Sequence, residues 1–174
     1  GTFQGTADFW DKTFANRITL TSAGNYDGYI AKITADGSFA WATHAGGSAV
    51  DAGWYITSLS DDSTIITGYF EGIASFGDTT LTSTGARDSY IAKLNAEGEY
   101  VWAKKGIGNG AYDSESPLIT SLRDGSTIIA GRFEESATFG DTTLTSTGAG
   151  GDTYIAKLNT DGELVWATQA DAPW

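Results

Sequence analysis

The chain has no cysteine and no methionine, two prolines and one histidine among 174 residues. Without cysteine it can build no disulfide framework, no thiolate zinc or iron–sulfur site and no thiol nucleophile. His44 alone cannot form a multi-histidine metal centre. Positive charge is scarce too, with 10 Lys and Arg against 22 Asp and Glu, a net charge of -12. A phosphate backbone or an anionic membrane surface would be repelled, so nucleic acid is not an expected partner. No apolar run approaches the roughly 20 residues of a membrane helix and none forms the h-region of a secretory signal, so no membrane insertion is expected.

What is present is repetition. Tyr29-Ile30-Ala31-Lys32-Ile33 returns as Tyr90-Ile91-Ala92-Lys93-Leu94 and again as Tyr154-Ile155-Ala156-Lys157-Leu158. The same offsets carry Trp41 to Trp102 to Trp166, Asp27 to Asp88 to Asp152, and Gly37 to Gly98 to Gly162. A second block, Phe76 to Gly85, recurs from Phe139 to Gly148, with a degenerate first copy from Phe9 to Gly24 in which Lys12 to Ile18 reads as irregular. Such a period of self-similarity marks a repeat architecture.

Within a repeat the pattern is that of strands. Tyr55 to Leu59 alternates, Asp61-Asp62 makes a turn, and Thr64 to Phe70 is β-branched and aromatic. The third repeat copies this as Ile119 to Leu122, the Asp124-Gly125 turn and Thr127 to Phe133. Ser89 to Leu94 and Tyr100 to Lys104 supply two more strands, joined by the Asn95-Ala96-Glu97-Gly98 turn, with Asn159 to Gly162 its equivalent. No stretch shows a helical apolar period. The chain is expected to be all-β, with four-stranded antiparallel blades of a β-propeller: a partial blade at 1–49, a blade at 50–111, and a blade plus C-terminal tail at 112–174.

The succession Trp-Ala, Gly-Gly, an inner strand ending in Asp-Asp or Asp-Gly, Thr-Gly-Tyr-Phe, Phe-Gly and Asp-x-Tyr-Ile-Ala-Lys-Leu resembles the SBBP-type β-propeller repeat of bacterial secreted and cell-surface proteins. The resemblance implies a scaffold at an extracellular or cell-surface location. With fewer than three repeats, and no counterpart of Ile56 to Leu59 in the first, the ring is incomplete in this chain. The absent initiator methionine, with Gly1 opening in mid-pattern, suggests a processed, truncated or incompletely read product.

Several residues invite functional readings. Asp27, Asp88 and Asp152 are weak calcium-ligand candidates, since carboxylates in glycine-rich loops suit a hard cation, but a residue present in every blade fits a turn cap better. No other cofactor is indicated. Trp41, Trp102 and Trp166 could stack on sugars, yet their recurrence favours burial between adjacent blades. Trp10, Trp54 and Trp174 do not recur and are the better candidates for a binding surface, although core filling outweighs contact for Trp10. Lys32, Lys93 and Lys157 are expected to pair with acids of their own blades.

Glu71, Glu115, Glu134 and Glu135 form no isolated pair of the kind glycoside hydrolysis needs, and His44 is no evidence of a serine nucleophile. The expected protein is not an enzyme. It is a structural and interaction module that self-assembles or mediates adhesion, with a carbohydrate-binding propeller as the rival reading and a glycan as possible ligand. Because Gly1-Thr2-Phe3 aligns with the end of Gly68-Tyr69-Phe70, the first blade should show an unpaired edge. That edge invites a second copy or an adjoining segment of a longer polypeptide, burying more than about 1,000 Å² at each contact.

Overall fold

The computed structural model describes residues 1–106, 117–147 and 151–170. The first repeat contributes β1 (Thr2–Phe3), β2 (Thr6–Trp10), β3 (Arg17–Thr21), β4 (Asp27–Ile33) and β5 (Phe39–Gly47). The second holds β6 (Ala52–Ser58), β7 (Thr64–Phe70), β8 (Ile73–Phe76), β9 (Thr79–Thr82), β10 (Asp88–Leu94) and β11 (Tyr100–Lys105). The third holds β12 (Leu118–Ser121), β13 (Thr127–Phe133), β14 (Ser136–Phe139), β15 (Thr142–Thr145), β16 (Asp152–Leu158) and β17 (Leu164–Ala170). The fold is all-β, and no helix among the described residues is long and apolar enough to cross a membrane.

Repeats two and three form antiparallel four-stranded sheets in the orders β11-β10-β7-β6 and β12-β13-β16-β17, and the sheets do not close into a ring. Their central pairs share one register, Phe70 opposite Asp88 in one and Phe133 opposite Asp152 in the other. The central strand β7, Thr-Ile-Ile-Thr-Gly-Tyr-Phe, is buried on both faces except at Tyr69, which is why its sequence is β-branched and aromatic rather than a strict apolar–polar alternation. In all three sheets the last hairpin bulges at the same place. Trp41, Trp102 and Trp166 oppose Lys32, Lys93 and Lys157, and one residue is then skipped. The extra residue re-aims the side chains beside it.

The recurring Phe-Gly block folds as strand pairs of its own. β8 with β9 and β14 with β15 are short hairpins, and β2 with β3 is their first-repeat equivalent. The sequence pattern predicts four strands per repeat, and these hairpins add two more. Four-residue strands around Gly77-Asp78 are too short for alternation to register. The stretch from Lys12 to Ile18 is irregular only in part, because β3 already begins at Arg17. Its loop is organised by Asp11, whose Oδ1 accepts from the amides of Thr13 and Ala15, both at 3.0 Å. Hairpin β8–β9 also joins the preceding repeat, with Gly46 and Gly47 of β5 opposite Ser75 and Ala74.

Both hydrophobic cores lie between sheets. One gathers Ile30 and Ala45 of the first repeat with Ile66, Phe70, Phe76, Tyr90 and Leu94 of the second. The other gathers Leu59, Ile65 and Ile91 of the second with Ile129, Phe133, Phe139, Tyr154 and Leu158 of the third. Each sheet therefore offers one face to the repeat before it and the other to the repeat after it. At the first repeat, β1 pairs with β4 at Asp27 and Gly28 and Gly1 exchanges backbone hydrogen bonds with Tyr29, so the same edge of β4 from Ile30 to Ile33 carries no partner strand among the described residues. The expected unpaired edge is therefore present.

Candidate interaction surfaces

The repeated tryptophans mark the junctions. Trp41 Nε1 of the first repeat donates to Ala96 O in the β10–β11 turn of the second, at 2.9 Å. Trp102 Nε1 of the second donates to Thr160 O in the β16–β17 turn of the third, at 3.3 Å. Each indole lies across the glycine that closes the turn it reaches. A Cβ placed on Gly98 would fall 2.5 Å from Trp41, and one on Gly162 would fall 2.7 Å from Trp102. These glycines also have φ of +85° and +70°, a region where only glycine is at ease. Trp41 and Trp102 are half-buried, whereas Trp166 is 44% exposed. The expected burial is thus met only by half, and only where a following turn covers the ring.

Asp27, Asp88 and Asp152 are buried at equivalent strand starts, and each carboxylate accepts from the amide of a preceding loop. The donors are Ala23 at 2.8 Å, Thr84 at 2.7 Å and Thr147 at 3.0 Å. Asp88 is also 3.1 Å from Lys105 Nζ. This geometry fixes the loop that returns the chain from each short hairpin to the main sheet. No three His, Cys, Asp or Glu side chains converge among the described residues in a way that would hold a metal. Lys93 and Lys157 lie 3.8 and 3.0 Å from Asp61 and Asp124 of their own blades, as expected. Both aspartates sit in exposed turns, where they also accept from the hydroxyls of Ser63 and Ser126.

One acidic position was not legible in the repeats. Asp51 is buried beside the first junction, where its Oδ2 accepts from the Gly47 amide at 2.7 Å and its Oδ1 from the Glu71 amide at 3.2 Å. Burial, reinforced by the negative charges of Asp27 and Glu71, pushes its carboxyl up to about 6 despite those two amide bonds. His44 stands on the other side of Asp27, its Nε2 3.8 Å from Asp27 Oδ2, and its ring meets Phe3 edge to face. His44, Gly46, Gly47, Ser48, Ser75 and Tyr100 border a cleft of about 400 Å³. The Tyr100 hydroxyl there is buried without a hydrogen-bond partner among the described residues, and burial raises its pKa.

Of the non-repeated aromatics, Trp54 is 63% exposed on β6. Its ring is 6.4 Å from that of Tyr69, over which the Arg87 guanidinium lies at 4.5 Å, itself 2.7 Å from Glu71. Trp54, Tyr55 and Ile56 form one wall of a second cleft of about 350 Å³, and Tyr29, Ile33 and Phe39 of the first repeat form another. Trp10 is not a core residue as the sequence suggested. It lies 39% exposed at the end of hairpin β2–β3, between Phe14 and the Arg17 guanidinium 5.2 Å from its ring. That hairpin has its own cation to stack on and no sheet to cover this ring. Trp174 and Glu115 lie outside the described residues. Glu134 is paired with Arg132 at 3.1 Å.

No protein-family model matches the chain. It is similar to an uncharacterized WD repeat-containing protein of Acanthamoeba polyphaga mimivirus, 27% identical over 130 residues. The matched region is 71% of this chain and 9% of that protein, so the chain spans less than a tenth of its relative's length. WD repeats build four-stranded propeller blades. The similarity and the four-stranded sheets together support a β-propeller-like repeat fold of the kind used in interaction modules.

Proposed function

We propose that the chain is a non-enzymatic β-propeller-type interaction module of the SBBP kind, a scaffold that self-assembles or mediates adhesion outside the cell or at a bacterial cell surface. The observation that carries this reading is the position of the cores. Apolar residues are placed between sheets, so the two terminal sheets of the array expose faces designed for a further sheet. An exposed, contiguous apolar face is a contact surface in waiting. The experiment is the mass of the chain in solution over a wide range of concentration, with pull-down on a bacterial surface fraction as a second arm. Association or surface capture supports the reading. A strict monomer that captures nothing overturns it.

A carbohydrate-binding module is a second reading, favoured by one observation: the exposed Trp54 ring beside Tyr55 and the Tyr69–Arg87 stack. A flat aromatic with polar neighbours suits a pyranose ring. A glycan array separates the two readings, and binding lost in Trp54→Ala would select the second.

A further inference from the structure

The two ends of the array carry the tryptophan face and the receiving turn of the junction that the middle shows twice. At the junction of the second and third repeats, Leu59, Ile91 and Trp102 are covered by the third sheet. Their counterparts on the third repeat are Leu122, Ile155 and Trp166, and all three are exposed. Ile91 is 3% exposed and Ile155 41%.

The other half sits on the first repeat. Its turn, Thr34 to Gly37, is folded as the covered turns are. Gly37 N donates to Thr34 O at 2.9 Å, as Gly98 N does to Asn95 O at 3.1 Å, and Gly37 has φ +87° beside +85° for Gly98. Yet a Cβ on Gly37 would meet nothing within 4 Å, where the covered glycines meet an indole. Next to that turn Ile33 is 60% exposed, whereas its counterparts Leu94 and Leu158 are buried in the cores.

We infer that the exposed face around Trp166 docks on the Gly37 turn of a second copy of this chain, head to tail, with the Trp166 indole across Gly37 and its Nε1 donating to Ala35 O. This rests on the reading of the chain as an interaction module. The occupant is specified by the molecule itself, since the junction is a contact between one repeat and the next of the same kind, and each copy carries both the tryptophan face and a turn of the kind that receives it. The contact is heterologous and repeats until it closes. Two copies hold about six blades, within the range of about 4–8 that closes a propeller, and three copies exceed it. The assembly expected of these 174 residues on their own is therefore a dimer. Its face is apolar while each copy carries a net charge of -12, so added salt, which screens the repulsion between copies, strengthens it.

The test uses the 174-residue chain and three variants in sedimentation velocity, with circular dichroism to confirm that each is folded. Trp166→Ala removes the knob. Gly37→Asn tolerates a positive φ but puts a side chain where the indole would lie. Ile155→Lys charges the same face as Trp166 without touching the ring. The inference expects a dimer for the parent chain and at least a tenfold weaker association for each variant, the effect of losing a central interface anchor. It also expects an equimolar mixture of Trp166→Ala and Gly37→Asn to regain association as a one-to-one pair, since one variant keeps the turn and the other keeps the tryptophan. Variants that associate like the parent, or a mixture that stays monomeric, overturn this docking and leave the module reading standing. A parent chain that remains monomeric at high concentration and high salt overturns the docking, and, if it also captures no surface component, the module reading with it.

Discussion

Gly98 leaves open the space that the Trp41 indole fills: any side chain at position 98 would begin 2.5 Å from the ring. The same turn in the first repeat, closed by Gly37, faces open space. The pair separates two effects that usually arrive together, backbone strain at positive φ and steric contact across a junction.

Gly98→Ala is accordingly expected to destabilise by about 2 kcal/mol or more, combining left-handed strain with displacement of Trp41. Gly37→Ala should cost about 1 kcal/mol, from strain alone. Urea denaturation of the two variants at a concentration where the chain is monomeric measures the difference. Equal losses would show that the indole yields without cost.

Trp102→Ala should lose about 3 kcal/mol, the low end of the range for emptying an aromatic core site, because the ring is half-buried. Trp166→Ala in the same monomeric conditions should lose less than about 0.5 kcal/mol, as an exposed surface substitution does. Thermal unfolding under identical buffers reads both. A loss at Trp166 comparable with that at Trp102 would mean that the ring is already covered within one copy.

Asp51 gives a pH dependence of definite sign. Its carboxyl is raised from 3.8 to about 6 in the folded chain, so between those values the folded state holds a proton that the unfolded state has released. Stability from this group is therefore present below about pH 4 and is lost as pH rises through about 6. Asp11 and Asp36 behave in the opposite sense. Hydrogen bonds from Thr13 and Thr34 respectively are the leading causes that lower both to about 2, so their contribution is lost as pH falls from about 4 towards 2. The melting temperature of the parent relative to Asp51→Asn should fall steadily from pH 4 to pH 7. A constant difference across that window would show that the carboxyl titrates normally.

Asp88→Ala should cost about 1–3 kcal/mol, because the buried Asp88 carboxylate holds the Thr84 amide and pairs with Lys105, and both lose their partner. The same geometry makes calcium unnecessary for holding the loop, so chelation at neutral pH is expected to leave the melting temperature unchanged. A fall of more than a few degrees on chelation, restored by calcium, would reassign Asp27, Asp88 and Asp152 as ligands.

The main strands were legible because β7 and β10 are central and buried, which forces long β-branched and aromatic runs, and because the repeat copies them. Hairpins β8–β9 and β14–β15 were visible only as recurring letters, since four residues carry too little alternation to announce a strand. The Asp27 series could be read as loop caps because loop capping is local chemistry. Asp51 caps the Gly47 amide four residues back in the same local way, but its burial could not be read there, because the Glu71 amide and the Asp27 charge around it come from distant parts of the chain. Trp10 misled for a related reason: an aromatic in an alternating strand looks internal until it is known whether a second sheet lies over it.

The placement of both cores at junctions has a consequence for folding order. A single repeat, excised, would keep its own aromatic cluster, as Phe76 against Tyr90 in the second, but would leave apolar residues uncovered on its junction faces, so the cooperative unit is the pair of adjacent repeats. Stability then accrues by nearest neighbours, as in linear arrays. The second repeat, touched on both sides, should hold the slowest-exchanging amides in β7 and β10. The open edge of β4 should exchange first, so that unfolding enters the molecule from its first repeat.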